Sequence, residues 1–231
     1  MRRCENATRV TLINIPVRSC SAIWAAFEQA YVGKDPCEVP MEAYDSVVAA
    51  VPFTPACNRM MFWSKTKDMV QDFTKKKNCF VRLEDSPLGY MLDGLTWCGK
   101  EGSSETLTEG CPRWTKCENN PVRSFWRRAS ASFADAACGD VTAVLNGSIP
   151  MPFNPTSVFA TIEVKRFKSA TMKSLTVVLV AQNFVTNCAD ASLMNLQREL
   201  DTRIQYNCKE VKEADIRECM SHKDKPCGPC W

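Results

Sequence analysis

The spacing of apolar residues divides the chain into a mainly helical first half and a second half in which strands and helices alternate. After Ser21, which is a favourable N-cap residue, apolar side chains recur at helical spacing and predict a first helix. They are Ile23, Trp24, Phe27, Ala30 and Tyr31. The same spacing predicts helices over 41–50, 64–76 and 122–137.

The second half contains short apolar runs rich in β-branched residues, at 141–145 and 175–180. Such runs are typical of strands buried in a parallel sheet. A run at 158–164 is predicted as another strand. An earlier run at 60–63 is a strand candidate that joins the same sheet if the chain connects the two parts more than once.

One further helix completes this pattern, and alternation gives Glu163 a place on the predicted strand at 158–164. Leucines at helical spacing after Asp190 predict an amphipathic helix that reaches Ile204. Strand alternation would place Glu163 on the same face as Phe159 and Thr161.

The predicted fold is of the α/β (α+β) class, in two parts stapled by disulfides. A mainly helical part is assigned to 1–56 and 82–137. A smaller α/β part with a parallel sheet is assigned to 57–81 and 138–231. The active site is expected in the cleft between the two parts.

Fourteen cysteines and a single histidine narrow the chemistry. Persistent disulfides need an oxidising compartment, so we expect an extracellular protein, either secreted or a trimmed cell-surface ectodomain. Only Cys227 and Cys230 form a CxxC pair, and His222 cannot complete a zinc site, so no metal is expected. One imidazole also argues against a Ser-His-Asp or Cys-His triad.

Charge and sequons add to this picture. The net charge is +3, from 29 basic and 26 acidic residues, so no nucleic-acid partner is expected. The sequence contains no apolar stretch of about 18 residues that would cross a bilayer. Sequons at Asn6 and Asn146 predict glycosylation.

Three groups of residues could carry chemistry, and each has a simpler structural interpretation. Glu84 and Asp85 could bind a polar ligand, or could begin a helix, where acidic residues are favoured. Trp63 and Trp126 could stack on a flat heterocycle, or could belong to the core. Glu163, within an apolar run, could face a cleft or lie on an exposed edge strand.

Five segments and most of the cysteine framework resemble the ADP-ribosyl cyclase/NAD glycohydrolase family, which cleaves the nicotinamide–ribosyl bond of NAD. The segments are TPACNRMMFWSKTKD, RLEDSPLGYMLDGLTWCG, CPRWTKC, NNPVRSFWRRASASFADAACGDVTAVLNGS and SVFATIEV. This resemblance implies that NAD is a small-molecule substrate and that no cofactor is needed.

The resemblance also implies roles for individual residues. The catalytic glutamate of the family falls on Glu163, its stacking tryptophans on Trp63 and Trp126, and its acidic pair at the nicotinamide side on Glu84 and Asp85. The other implied substrate-binding residues are Asp93, Ser64, Lys65, Ser130, Val158 and Phe159. Lys65 stands where a relative has arginine, and a single ammonium grips a phosphate less rigidly than a guanidinium.

The disulfides implied by the resemblance are Cys4–Cys20, Cys37–Cys117, Cys57–Cys138, Cys98–Cys111, Cys188–Cys208 and Cys219–Cys227. Cys79 and Cys230 have no counterpart in the family. They could bond each other, bond another chain or remain free.

The resulting expectation is an extracellular enzyme that cleaves NAD to nicotinamide and mainly ADP-ribose, with some cyclic ADP-ribose and a role in calcium signalling. A predominantly cyclising enzyme, a polysaccharide glycosidase with two facing carboxylates and a non-catalytic receptor domain on the same scaffold remain as alternatives. A homodimer is left open.

Overall fold

The computed structural model describes residues 3–4, 20–222 and 230–231. The chain forms two compact units. The helical unit comprises the chain up to Phe53 together with Leu83–Ser132, and the α/β unit comprises Thr54–Arg82 and Phe133–Trp231. The α/β unit holds the larger share of the chain, so the expectation that it is the smaller part was wrong.

Seven α-helices and four strands are found in the described part of the chain. In order they are α1 Cys20–Tyr31, α2 Asp45–Ala50, β1 Met61–Ser64, α3 Lys67–Lys76, α4 Pro87–Leu92, α5 Pro121–Asp135, β2 Gly139–Asn146, β3 Met172–Ala181, α6 Ala191–Glu199, β4 Gln205–Lys212 and α7 Glu213–Ser221. Short 3₁₀ turns cover Met41–Tyr44, Leu83–Asp85 and Val164–Arg166, and a π-helical turn covers Phe159–Glu163.

Two helix boundaries differ from the predicted ones for clear reasons. The helix predicted to begin at residue 64 begins at Lys67, because β1 extends to Ser64 and Lys65 has a positive φ of 60° that an α-helix cannot contain. The helix predicted to reach Ile204 ends at Glu199, because Leu200 is extended. Leu200 and Ile204 are nevertheless buried. The apolar spacing therefore reflects side chains that stay buried after the helix has ended.

The α/β unit is built on a parallel sheet with the strand order β1-β2-β3-β4, which confirms the predicted parallel sheet. The strand candidate at 60–63 corresponds to β1, which joins this sheet by pairing with β2. Trp63 of β1 is paired with Val144 of β2. The edge strand β4 was missed. It is largely polar, and the alternation of Tyr206 and Cys208 stops at Glu210, so periodicity gives only a weak strand signal there.

The core of the helical unit is aromatic. Phe27 contacts Trp97 with ring centroids 4.9 Å apart, and Tyr44 contacts Phe125 at 5.5 Å. The buried Trp97 Nε1 donates a hydrogen bond to Tyr44 Oη at 2.9 Å. Burial raises the pKa of Tyr44, so this hydroxyl stays protonated and available in the core.

The core of the α/β unit is mostly aliphatic. One cluster packs the face of the sheet that carries Met61 and Val178 against α3 and α7. Its members from the helices are Val70, Phe73, Ile216 and Met220. The small cavity within it is lined by apolar side chains, so it offers no polar ligand site.

Five of the implied disulfides are present among the described residues. They are Cys4–Cys20, Cys37–Cys117, Cys57–Cys138, Cys98–Cys111 and Cys188–Cys208.

The implied bond from Cys219 to Cys227 was wrong, because Cys219 is bonded to Cys230. The ring of Trp231 packs on Phe73 and Phe80, with centroids 5.2 and 5.4 Å away, and this holds the adjacent Cys230 beside α7. Cys79 is also disulfide-bonded, so neither it nor Cys230 is a free thiol. Cys227 lies outside the described residues.

No helix within the described ranges combines the length and the apolar character that a membrane span requires.

Candidate active site

Glu163 lies at the end of a π-helical turn, so the strand predicted over 158–164 was wrong. The N–H of Val164 donates to the carbonyl of Phe159, five residues earlier, which defines the turn. Glu163 is buried, at 7% exposure, while Thr161 is exposed. The carboxylate is therefore not on an exposed edge strand. Isolated π-helical turns of this kind occur frequently at functional sites.

Local hydrogen bonds explain why this segment is helical despite its β-branched residues. The Ser157 hydroxyl accepts the N–H of Ala160 at 3.1 Å, as an N-cap side chain does. The Ser157 carbonyl accepts both the N–H and the hydroxyl of Thr161. Asn154 closes the preceding turn by accepting the N–H of Thr156 at 2.8 Å. Capping therefore overrides the β propensity that the sequence suggested.

An aromatic cluster supports the turn that carries Glu163. Phe159 is 2% exposed, and its ring lies 6.0 Å from Phe153 and 6.4 Å from both Phe62 and Phe167. Phe62 belongs to β1, which contacts the π-helical turn directly. Phe159 thus acts here as a buried support of the backbone next to Glu163, although the resemblance placed it among the substrate-binding residues.

Three cationic side chains follow Glu163 closely, and each is paired with a carboxylate. Lys165 lies 2.6 Å from Glu199. Arg166 and Lys168 each lie 3.0 Å from Asp135, at the end of α5. These pairs neutralise much of the positive charge that adjoins Glu163 in the sequence.

Trp63 and Ser64 form the last two positions of β1. Successive side chains of a strand point to opposite faces, so Ser64 shares a face with Phe62 and Trp63 shares one with Met61. Ser64 is buried at 7% exposure, and Trp63 is half-buried against the apolar cluster of the sheet. The carboxyl ends of parallel strands are where α/β proteins bind ligands, and both residues lie at that end.

Lys65 forms the turn that follows β1. It is exposed and adopts a left-handed backbone, with φ 60°. The Asn146 side-chain amide at the end of β2 donates to the Lys65 carbonyl at 3.3 Å. The buried Thr66 hydroxyl donates to the Val144 carbonyl at 2.9 Å. Two hydrogen bonds to the neighbouring strand thus hold this turn.

Val158 immediately precedes the π-helical turn and is half-buried. It lies five positions before Glu163 in a helical backbone. Part of its surface therefore remains exposed to solvent.

In the helical unit, Glu84 and Asp85 lie in a 3₁₀ turn just before α4. Glu84 is buried at 7% exposure and Asp85 is half-buried. The Ser86 hydroxyl caps α4 by accepting the N–H of Gly89 at 3.1 Å, and it donates to the Leu83 carbonyl at 2.6 Å. The pair therefore does stand at a helix start, and the buried position of Glu84 also leaves a ligand-binding role open.

Gly89 permits this arrangement. A Cβ at Gly89 would lie 2.1 Å from the Leu83 carbonyl oxygen and 2.7 Å from Glu84 Cα. The backbone of the acidic pair therefore packs directly on α4, and only glycine allows that approach.

Trp126 and Ser130 lie one turn apart on α5, which places them on the same side of the helix. Trp126 is half-buried against Phe125, with ring centroids 5.2 Å apart, and Ser130 is buried. Asn120 caps the helix by accepting the N–H of Arg123 at 3.1 Å. Asp93, at the end of α4, is half-buried, and its carbonyl accepts a hydrogen bond from Arg3.

The structure describes one of the two predicted sequon asparagines, Asn146. Asn146 is half-buried and is the last residue of β2, and its side-chain oxygen accepts the N–H of Ser148 in the following turn at 2.8 Å. Asn6 lies outside the described residues. The described ranges contain no group of three or more His, Cys, Asp or Glu side chains arranged to hold a metal.

The family model described as ADP-ribosyl cyclase matches residues 1–228, almost the whole chain. The chain belongs to the ADP-ribosyl cyclase family. Its five quoted segments, including the one that ends in Glu163, all lie within the matched range.

Individual relatives agree with this assignment. The mouse ADP-ribosyl cyclase/cyclic ADP-ribose hydrolase 1 is 38% identical over 163 residues, which cover 70% of this chain and 54% of the mouse protein. The enzyme of the same name from Oryctolagus cuniculus is 30% identical over 97% of this chain and 77% of its own length. The chain therefore spans only about half the length of some of the curated relatives it matches.

Solved structures give the same fold. Porcine CD38 with a covalent intermediate, ribo-F-ribose-5'-phosphate, has a TM-score of 0.84 and 36% identity, covering 91% of this chain and 93% of that one. Aplysia cyclase with the substrate NGD and the product cGDPR has a TM-score of 0.85 and 27% identity, covering 100% and 94%.

Sequence reasoning identified the candidate side chains but missed the residues that hold them. Ser157, Thr66 and the amide of Asn146 all bond backbone near a candidate residue. Ser157 could have been found as a capping residue if the segment had been interpreted as helical. The contacts of Thr66 and Asn146 join separate strands, and no local pattern reveals them.

Proposed function

We propose that this protein is an extracellular enzyme that cleaves NAD, releases nicotinamide and forms mainly ADP-ribose with some cyclic ADP-ribose. The observation that carries the proposal is the buried Glu163 at the end of a capped π-helical turn, in a chain of the ADP-ribosyl cyclase family. The named activities and ligands of the relatives support the choice of substrate.

The reaction needs little acid catalysis. When the bond between ribosyl C1' and the nicotinamide nitrogen breaks, its electron pair goes to the ring nitrogen, and the cationic ring leaves as neutral nicotinamide. The positive charge then develops on the ribosyl centre. A fixed carboxylate in a water-poor site stabilises such a charge, and we assign this role to Glu163.

The other residues bind and orient the substrate in this proposal. Trp63 and Trp126 stack on the rings, Glu84 and Asp85 contact the nicotinamide side, and Lys65 contacts a phosphate. Asp93, Ser64 and Ser130 line the binding surface. No metal or cofactor takes part, because NAD itself is the substrate.

The product depends on what attacks the ribosyl centre. Water attacks through oxygen, loses a proton and gives ADP-ribose, whereas adenine N1 attacks within the same molecule and gives cyclic ADP-ribose. Val158 is smaller than an aromatic residue, so it leaves room for water and cannot stack on adenine. We therefore propose that hydrolysis dominates.

The test is chromatographic analysis of the products after incubation with NAD, for the parent enzyme and for Glu163→Gln. Glutamine keeps the size but removes the charge, so we expect turnover to fall by at least about 100-fold. NAD binding should persist, because the substitution acts on a charge that develops only in the transition state.

Thr161→Ser is a matched control, because Thr161 lies on the same turn but is exposed, and serine keeps the hydroxyl that donates to the Ser157 carbonyl. Near-normal turnover of Glu163→Gln would contradict the role of Glu163. An inactive parent enzyme would favour a receptor domain on the same scaffold.

A further inference from the structure

The turn after β1 contains an unusual backbone. Lys65 has φ 60°, in the left-handed region that side chains with a Cβ rarely adopt. Such conformations persist only where surrounding contacts hold them, and they concentrate at functional sites. Lys65 directly follows Trp63 and Ser64, so its conformation sets the direction in which the chain leaves the candidate site.

Asn146 is the side chain that holds the Lys65 carbonyl. Its Nδ2 donates to this oxygen at 3.3 Å, and its Oδ1 accepts the Ser148 N–H at 2.8 Å. The second bond fixes the plane of the amide and leaves Nδ2 directed at Lys65. The next residue, Thr66, is held to β2 as well, because its hydroxyl donates to the Val144 carbonyl.

Backbone contacts fix the position of Asn146 and of the turn that follows it. Asn146 is the last residue of β2 and pairs with Val180 of β3. The N–H of Gly147 donates to the Val180 carbonyl at 2.8 Å, and the Gly147 carbonyl accepts the N–H of Val185 at 2.9 Å. A Cβ at Gly147 would lie 3.0 Å from the side chains of Leu179 and Phe184, so this turn is closely packed. Asn146 therefore presents its amide from a rigid sheet edge.

We propose that Asn146 is a positioning residue that holds Lys65 in its left-handed conformation, and thereby fixes the cation that contacts a substrate phosphate. This inference rests on the proposed function. It gives Asn146 a role that is independent of glycosylation. An N-glycosylated amide keeps one N–H, so the same side chain can carry a glycan and still donate to Lys65.

The test compares Asn146→Ser with Ser148→Ala, both made in a secretory host. Both substitutions abolish the sequon. Asn146→Ser keeps a hydroxyl that can accept the Ser148 N–H but is too short to reach Lys65, whereas Ser148→Ala leaves the Asn146 amide intact. Ser148 is exposed, so its substitution should leave the fold unchanged.

We expect Asn146→Ser to raise the KM for NAD about fivefold, with kcat within about twofold of the parent, as for loss of one hydrogen bond. Ser148→Ala should match the parent. In a Lys65→Gly background no cation remains to be positioned, and glycine needs no support for a left-handed backbone, so Asn146→Ser should cause no further change. Thermal unfolding of each variant separates loss of positioning from loss of folding.

Equal KM values for Asn146→Ser and Ser148→Ala would overturn the inference. So would a fivefold effect of Asn146→Ser that persists in the Lys65→Gly background, since Asn146 would then act elsewhere. A parent enzyme that fails to cleave NAD would overturn the proposed function, and this inference with it.

Discussion

The two units hold their candidate site residues by contacts of very different range along the chain. In the helical unit, Ser86 bonds Leu83 and Gly89, each three residues away, and these contacts define the turn that carries Glu84. In the α/β unit, Asn146 and Lys65 are 81 residues apart. The first arrangement is local and the second depends on strand pairing. Their sensitivity to substitution should therefore differ.

Among substitutions that disturb the local arrangement in the helical unit, Gly89→Ala should have the greatest effect. The added Cβ would overlap the backbone of Leu83 and Glu84, so one of the two segments must move. We expect a loss of about 1–3 kcal/mol in the free energy of unfolding and a several-fold higher KM for NAD. Chemical denaturation and steady-state kinetics measure the two quantities.

Gly102→Ala provides the matched control within the helical unit. Gly102 also resists substitution, because its φ is 68°, but its Cβ would meet nothing within 4 Å. Gly102→Ala should lower the free energy of unfolding by about 1–2 kcal/mol, because alanine is strained in a left-handed backbone. The KM for NAD should stay unchanged. Equal KM changes in both variants would refute the role of close packing on Glu84.

A second contrast concerns a buried tyrosine hydroxyl in each unit. Tyr44→Phe would leave the buried Trp97 Nε1 without its acceptor, so we expect a loss of about 1–3 kcal/mol. The buried Tyr206 hydroxyl has no hydrogen-bond partner among the described residues. Tyr206→Phe should be neutral or stabilising by equilibrium denaturation at neutral pH. A large loss of unfolding free energy for Tyr206→Phe would show that the Tyr206 hydroxyl has a stabilising partner.

The same tyrosines predict how stability depends on alkaline pH. Burial raises the pKa of Tyr206 to about 12, from a usual value of 10.0, and raises that of Tyr44 as well. A raised folded-state pKa gives stability that is complete below pH 10.0 and is lost as the pH rises towards the folded-state value. Tyr206→Phe should therefore weaken the decline in unfolding free energy above that pH. If the unfolding free energy of Tyr206→Phe declines above pH 10.0 as steeply as that of the parent, the raised pKa of Tyr206 is contradicted.

The smallest effect concerns the products, and it involves the α/β unit alone. Val158→Phe should shift the partition towards cyclic ADP-ribose by about 1 kcal/mol, because an aromatic ring excludes water and can stack on adenine. Val158→Leu adds volume without an aromatic face and serves as the control. Product ratios by chromatography decide between them. A parent enzyme that already forms mostly cyclic product would show the interpretation of Val158 to be wrong.

The parallel sheet and the family could be predicted from the amino-acid sequence, and the resemblance to that family implied five of the observed disulfides. Apolar runs rich in β-branched residues revealed β2 and β3, because strands buried on both faces have no polar alternation. The quoted segments sufficed for the family because they keep the residue order around Glu163 and the cysteines. The Ser-Pro turn before α4 is also a local signal, since Ser86 caps the helix within three residues.

Features that depend on contacts between distant segments of the chain could not be predicted from local sequence patterns. Glu163 is on a π-helical turn that Phe62 of β1 supports through Phe159, and this distant contact adds to the local cap of Ser157 in outweighing the β propensity of the segment. Cys219 bonds Cys230, and the neighbouring Trp231 packs on Phe73 of α3, so this pairing accompanies a contact between segments far apart in the sequence. Local propensities amount to about 1 kcal/mol or less per residue, so packing and capping of similar or larger size decide such positions.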